Sequence, residues 1–221
     1  MNHTAEDVFE SLRAVYPDAR CELDFSGPFQ LLVATVLSAQ STDLGVNKVT
    51  PALFTRWPGP EALAEADRGE LEEVIRPTGF FRNKAASLQG LSRQIVDEYD
   101  GQVPVEIADL VKLPGVGRKT ANVVRGHAFG LPAITTDTHV MRVSRRLGWT
   151  ASAKPEVVET DLQRLFDSAD WTTLSDTLIF HGRRCCHAKK PACGACVVAG
   201  QCPSFGVGPT DPDVARSLVK S

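Results

Sequence analysis

The fold of this chain is most constrained by a succession of helix-like segments separated by glycine and proline. Val8, Leu12 and Val15 recur at helical spacing after a Thr4 cap. Pro28 opens the run PFQLLVATVLSAQ, which is too apolar for a surface helix and predicts a buried one. Further helices are predicted over residues 71–75, 85–99, 105–111, 120–129, 138–147, 157–166 and 174–181. Because no pair of segments alternates as strands do, we predict an all-α protein.

Length and composition place the chain among ordinary globular proteins. Its 221 residues suffice for one large domain or two small ones, and 43% of them are hydrophobic. No apolar run reaches the length of about 18 residues that spans a bilayer. Acidic residues in the first ten positions do not fit a secretory signal. We therefore expect no membrane association and a cytoplasmic, nucleoid-associated location.

The formal net charge of −3 does not point to nucleic acid, but the local charge does. Residues 113–146 hold six basic side chains against one acid, Asp137, and residues 181–203 hold four basic side chains and no acid. Acidic residues are concentrated elsewhere, as in 61–73. This asymmetry predicts one basic face, although solvated helix faces would give the same pattern.

Four cysteines form a compact pattern, Cys186-x6-Cys193-x2-Cys196-x5-Cys202. Disulfides are disfavoured inside the cell, whereas four thiolates within 17 residues can surround one metal centre. Zinc sites usually show two C-x2-C pairs and this segment has one, so both zinc and a 4Fe-4S cluster remain open on spacing alone. The basic loop between the first two ligands presents Lys189 and Lys190 for phosphate contact. After Cys202, a composition rich in glycine and proline predicts a flexible tail over 204–221.

The segment Leu113–Ala121, LPGVGRKTA, lies between two predicted helices. Gly115 and Gly117 permit backbone conformations that other residues avoid, and amides at the start of the next helix can converge on one phosphate oxygen. The glycine spacing and the absence of a preceding strand exclude a nucleotide-binding P-loop. A Gly-x-Gly alone is often only a tight turn, but with these flanks it indicates a phosphate-positioning contact at which no sequence is read.

Lys119 falls in the first turn of the helix that follows this hairpin. The helix N-terminus and Arg118 both disfavour the added positive charge of a protonated amine, which suits an amine nucleophile. An ordinary phosphate-binding lysine is the alternative. Asp137 stands at a later helix start, where it can be an N-cap and can also accept a proton or stabilise cationic charge on a sugar.

Taken together, these motifs resemble the endonuclease III family of helix-hairpin-helix DNA glycosylases. The resemblance runs from about Ala5 to Cys202 and rests on four motifs in the family's order: LSAQ with Thr42-Asp43, LPGVGRKTANVV, Asp137-Thr138-His139 and the spaced cysteines. It implies two helical domains that flank a DNA-binding cleft. Residues 21–131 would form a six-helix barrel with the hairpin, and residues 1–20 and 132–203 would form the cluster domain.

The resemblance also implies roles for individual residues. Lys119 would be the nucleophile and Asp137 its carboxylate. Gln40 would enter the space left by a flipped base, and Phe80 would stand where some relatives place an aliphatic wedge, with Phe81 as the alternative. Further DNA contacts would come from the hairpin, the Asp137 motif and the cluster loop (Gly115, Gly117, Arg118, His139, Lys189 and Lys190). A 4Fe-4S cluster would be held by Cys186, Cys193, Cys196 and Cys202, and Cys185 has no assigned role.

The implied function is a monomeric, bifunctional DNA glycosylase and AP lyase of base excision repair. It would act on duplex DNA that contains oxidised pyrimidines or abasic sites. Two alternatives remain open. An adenine-mispair glycosylase would use the same scaffold, but such relatives usually lack the lysine at position 119. A non-catalytic, metal-stapled DNA-binding module would leave Lys119 and Asp137 unexplained.

Overall fold

A computed structural model describes residues 3–220, and all regular structure in that range is helical. The all-α prediction is confirmed. No helix among the described residues is long and apolar enough to cross a membrane. The α-helices are α1 (Ala5–Val15), α2 (Pro28–Leu37), α3 (Asp43–Asn47), α4 (Thr50–Arg56), α5 (Pro60–Ala64), α6 (Arg68–Ile75), α7 (Phe81–Glu98), α8 (Ile107–Leu110), α9 (Arg118–Ala128), α10 (Thr138–Arg146), α11 (Pro155–Leu165), α12 (Trp171–Arg184) and α13 (Pro212–Arg216). Short 3₁₀ turns cover Arg76–Thr78, Ser168–Asp170, Cys193–Ala195 and Ala199–Gln201.

The chain divides into two compact units, one of them formed by Glu22–Leu131. Helix α2 is the core of this unit, because every side chain from Leu31 to Leu37 is buried. It packs against α7 and α9, while α5 and α6 pack on α7 and α8 packs on α9. The predicted buried helix at Pro28 is therefore confirmed. Its proline occupies the first turn, where a missing N–H costs nothing.

The other unit combines Met1–Cys21 with Pro132–Ser221. Its helix α1 begins as predicted at Thr4, whose side chain and that of Asp7 form a reciprocal capping box. Helix α12 packs against α1 and α10, and α11 packs on α10. The core includes an aromatic set in which Phe166 contacts Phe9 and Trp149 at centroid distances of 5.7 and 4.9 Å.

The C-terminal segment differs from the predicted flexible tail over its described part, 204–220. It contains α13, which packs on the turn Cys193–Ala195, and Ala215 is fully buried. Backbone bonds fix it to the cysteine segment, with Gly194 N–H donating to Pro209 O and Lys220 N–H to Arg184 O, each at 2.9 Å. Glycine permits this close approach, because a Cβ on Gly194 would lie 2.2 Å from the carbonyl oxygen of Thr210.

Candidate functional site

The glycine hairpin joins α8 to α9 and is held from inside by two apolar side chains. Leu113 and Val116 are 2% and 6% exposed, whereas Gly115 and Gly117 are exposed. Gly115 has φ +78°, and a Cβ there would lie 2.7 Å from Cβ of Ser87. Gly117 departs from the prediction, since its backbone is extended at φ −96° and ψ 175°, a conformation open to any residue. The backbone conformation therefore favours glycine at position 115 but does not require it at position 117.

Lys119 lies in the first turn of α9, as the sequence predicts, and is exposed. Gly117 is the N-cap, and having no side chain it supplies no side-chain cap to α9. The first helical bond is donated by Ala121 N–H to Gly117 O at 3.0 Å. The N–H groups ahead of Ala121 therefore point out of the helix start beside Lys119, as an anion-binding terminus requires.

Asp137 is the N-cap of α10 in the other unit and is partly buried. Its Oδ1 accepts hydrogen bonds from the backbone N–H groups of His139 at 2.7 Å and Val140 at 2.8 Å. The carboxylate thus has the N-cap role anticipated for it, and these two bonds fix its orientation. His139 Nδ1 lies 3.1 Å from Nη2 of Arg142. Burial lowers the pKa of His139, against the opposing effect of Asp137.

Gln40 and Phe80 occupy exposed turns of the unit Glu22–Leu131. Helix α2 ends at Leu37, and Gln40 follows it with a left-handed backbone at φ 55°. Phe80 is the N-cap of α7, with φ 47° and 63% of its surface exposed. Phe81 is less exposed, and its ring lies under the guanidinium groups of Arg76 and Arg82. Of the two phenylalanines, Phe80 is the one with a free aromatic face.

The four patterned cysteines converge on one pocket. Cys186, Cys193, Cys196 and Cys202 all line it, with apolar side chains between them. None of the six cysteines, all of which lie in the described range, forms a disulfide. The turns Cys193–Ala195 and Ala199–Gln201 lie between successive cysteines of the pattern. This arrangement suits a single centre coordinated by several sulfurs.

Hydrogen-bond donors surround the sulfurs. Arg146 Nη1 donates to Cys186 Sγ at 3.2 Å, and His181 Nε2 lies 3.7 Å from Cys196 Sγ. A hydrogen bond from Cys185, together with a hydrogen bond and the positive charge of His181, outweighs burial and lowers the pKa of Cys196 to about 4. The thiolate is the form that binds a metal, so these donors favour coordination.

The sequence assigns no role to three residues that lie beside the sulfur pocket: Tyr16, His181 and Cys185. His181 is 2% exposed on α12, and its Nδ1 lies 3.1 Å from the hydroxyl oxygen of Tyr16. Its ring nitrogen and the sulfurs of Cys185 and Cys196 lie within 4.8 Å of one another. Cys185 is thus a buried thiol against the site. The spacing of His181 from Cys185, one helical turn, is a signal that could have placed the histidine on the cysteine face.

The cluster loop carries Lys189 and Lys190 in exposed positions. Three carbonyls at its start accept bonds from α10: Cys186 O from Arg142 at 3.0 Å, and His187 O and Ala188 O from Arg146 at 2.7 and 2.9 Å. Behind it, His187 Nε2 lies 2.7 Å from Leu218 O. The loop is held from both sides while its two lysines face outward.

Comparison with known proteins agrees with this geometry. Residues 33–168 match the model of the HhH-GPD superfamily of base excision DNA repair proteins, and residues 186–202 match the iron-sulfur binding domain of endonuclease III. The endonuclease III of Synechocystis sp. is 55% identical over 201 residues, which cover 90% of this chain and 92% of that protein.

Two solved structures of relatives are similar over most of their length. One is a non-covalent endonuclease III–DNA complex, 43% identical with a TM-score of 0.86, covering 90% of this chain and 94% of that one. The other is a trapped endonuclease III–DNA covalent intermediate with an estranged adenine, 44% identical with a TM-score of 0.85, covering 89% and 93%. The chain belongs to the endonuclease III family of the HhH-GPD superfamily.

Family membership decides between the two metal centres that the cysteine spacing left open. The cofactor is a 4Fe-4S cluster rather than zinc. The pocket fits such a cluster, because its lining is largely apolar, contains the four patterned sulfurs and includes an N–H donor to one of them.

Proposed function

We propose that this protein is a bifunctional DNA glycosylase and AP lyase that removes oxidised pyrimidines from duplex DNA and nicks the strand. The observation that carries the proposal is Lys119, an exposed lysine at an uncapped helix N-terminus, in a chain 55% identical to an endonuclease III. The related structure with a covalent protein–DNA intermediate supports a nucleophilic mechanism.

In this mechanism, the Nζ lone pair of Lys119 attacks the sugar C1′ of the flipped nucleotide. The bond from C1′ to the base nitrogen breaks, and the base leaves with that electron pair and takes up a proton. Ring opening then gives an imine between Lys119 and C1′. The imine acidifies the C2′ hydrogen, and its removal expels the 3′ phosphate by β-elimination. Asp137 would accept the lysine proton and stabilise cationic charge on the sugar.

The other predicted contacts complete the proposal. The backbone amides of the exposed residues Gly115 and Gly117, with Arg118, would hold a backbone phosphate. His139, Lys189 and Lys190 would add contacts along the strand. Gln40 would enter the gap left by the flipped nucleotide, and Phe80 would stack on the orphaned base. Cys186, Cys193, Cys196 and Cys202 would hold the 4Fe-4S cluster, which would keep the basic loop folded.

The proposed domain division follows the resemblance: residues 21–131 form the barrel domain, and 1–20 with 132–203 form the cluster domain. The compact units, which change over at Cys21 and Leu131, support it. We also propose that the protein works as a monomer in the cytoplasm, associated with the nucleoid.

Borohydride trapping tests the mechanism. The protein is incubated with duplex DNA that contains one abasic site, and borohydride then reduces any imine to a stable cross-link. Wild type should cross-link, and Lys119→Ala should not. Lys112→Ala is the matched control, because Lys112 is an exposed lysine close to the hairpin whose ammonium is paired with Asp109 at 2.8 Å. Absence of cross-linking in wild type, or its survival in Lys119→Ala, would overturn the proposal.

Base preference needs a second assay. Release of an oxidised pyrimidine is compared with release of adenine from a mispair, each under single-turnover conditions. Preferential adenine release would revive the mispair glycosylase. Salt-sensitive binding without any change in the DNA would indicate the non-catalytic module.

A further inference from the structure

Helix α7 contains a buried lysine whose charge is not explained by apolar packing alone. Lys84 is 6% exposed, and burial lowers the pKa of its ammonium. Its Nζ donates to Leu37 O at 2.8 Å and to Thr78 O at 2.7 Å. Moving an ammonium out of water is costly, so lysine is rarely buried without a specific set of partners.

Both acceptors are backbone carbonyls at the ends of elements. Leu37 is the last residue of α2, so its carbonyl is one of those that a helix C-terminus leaves without an intrahelical donor. The cationic Lys84 also complements the negative end of that helix. Thr78 is the last residue of the turn Arg76–Thr78, and it is 2% exposed. Without Lys84, two buried carbonyls would lose a donor.

The same two ends lead directly into the exposed turns described above. Gln40 lies three residues after Leu37, and Phe80 lies two residues after Thr78. Both have left-handed backbones, a conformation that non-glycine residues adopt only when their surroundings impose it. Helix α3, which follows Gln40, packs against the turn that precedes Phe80. One ammonium therefore anchors both turns at their bases and leaves their tips exposed.

We propose that Lys84 is a positioning residue that sets the separation of the Gln40 and Phe80 turns, so that both side chains enter the duplex together when a nucleotide leaves the stack. This inference rests on the proposed function, because it takes both turns to contact damaged DNA. It assigns Lys84 no contact with the reacting atoms. Packing alone does not require a lysine here, since methionine has a similar length and no buried charge.

Lys84→Met tests the proposal through the strand dependence of the lyase step. Both turns act on the space between stacked base pairs, so they matter for an abasic site in duplex DNA. They matter little for an abasic site in a single strand, which has no opposing base. We expect the single-turnover rate on duplex to fall roughly 10- to 100-fold, as expected for misplaced groups, while the single-strand rate changes less than about threefold.

A second readout reports the turns directly. 2-Aminopurine is placed opposite a tetrahydrofuran abasic analogue in duplex DNA, and its fluorescence rises when the base is unstacked. At saturating protein, Lys84→Met should give a smaller rise than wild type. Arg93→Met is the matched control, because it removes an exposed cation from the same helix. It should behave as wild type in both assays.

The outcomes are distinguishable. Equal loss on duplex and single strand, or no loss with an unchanged fluorescence rise, would overturn the role of Lys84. Failure of wild type to nick either substrate would instead overturn the proposed function, and the fluorescence assay would still decide whether Lys84 matters for unstacking. If Lys84→Met does not fold, as judged by thermal melting, Lys84→Gln replaces it. The glutamine amide still carries N–H donors but is one atom shorter and uncharged, so it should give an intermediate duplex defect.

Discussion

Arg146 donates a hydrogen bond to the sulfur of Cys186 across 3.2 Å. Arg146 is the last residue of α10, and Asp137 is the N-cap of the same helix. A single helix thus joins the cysteine segment at one end to the proposed catalytic carboxylate at the other.

Arg146→Met should weaken retention of the cluster. The substitution removes the N–H donor to Cys186 and the bonds to His187 O and Ala188 O, while Arg142 still holds Cys186 O. We expect visible absorbance to decay roughly tenfold faster under an iron chelator, in line with the loss of a partner behind a metal ligand. Arg145→Met, an exposed neighbour, should decay as wild type does. Identical decay of the two variants would contradict this role.

The contrast between Asp137 and Arg146 shows what the sequence could predict. Asp137 as an N-cap and Lys119 in a first helical turn follow from local patterns, since capping and helix starts depend on residues a few positions apart. The partners of Arg146 lie 40 to 42 residues away. Lys84 reaches Leu37 across 47 residues, and nothing in its neighbourhood along the chain distinguishes it from a surface lysine. Such contacts exist only after the helices have packed.

The C-terminal segment and Gly117 show that the presence of glycine does not by itself predict what that glycine does in the fold. Glycine and proline predicted flexibility in 204–221, yet Gly208 in its described part, and Gly194 in the cysteine segment that packs against it, permit backbone contacts too close for a side chain. These glycines therefore serve close packing of the backbone rather than flexibility. Gly117 has an extended backbone that any residue can adopt, so the conformational freedom of glycine is not used there.

Asp137→Asn and Asp137→Ala should separate the structural and catalytic roles of this carboxylate. Asparagine is as good an N-cap as aspartate, so Asn should retain the bonds from His139 and Val140 and most of the stability. Alanine should cost about 1 kcal/mol of unfolding free energy. Both should reduce the single-turnover rate of base release by roughly 100-fold, within the range for general acid–base groups. A fast Asn variant would limit Asp137 to the cap.

Gly115→Ala and Gly117→Ala should have different consequences for stability. Gly115 has a positive φ that alanine disfavours, and an added Cβ would also clash with Ser87. We therefore expect a loss of about 1–3 kcal/mol in unfolding free energy. A Cβ at Gly117 meets nothing within 4 Å, and its stability should change by less than about 1 kcal/mol. Thermal melts measure this difference. Gly117→Ala should still weaken binding to abasic-analogue DNA, because the added methyl group would stand at the exposed start of α9. Equal melting temperatures of the two variants would contradict the hairpin geometry.

Acid should destabilise the unit that contains His139. Burial lowers the pKa of this imidazole, and Arg142 already donates toward its Nδ1, so the folded protein resists its protonation. In the unfolded chain a histidine titrates near pH 6.5. Below about pH 6.5 the unfolded state therefore binds a proton that the folded state does not, and the free energy of unfolding falls as pH decreases toward the folded pKa. Above that pH both states are neutral and the contribution vanishes.

The His139 resonances, followed by NMR, should titrate with a midpoint below about 6.5. His139→Gln supplies the control, because its amide oxygen can accept from Arg142 without taking up a proton. Between pH 7 and 5, wild type should lose more unfolding free energy than this variant, since the two proteins differ only at residue 139. A midpoint above the unfolded value would reverse the sign, because Asp137 would then outweigh burial and acid would stabilise this end of α10.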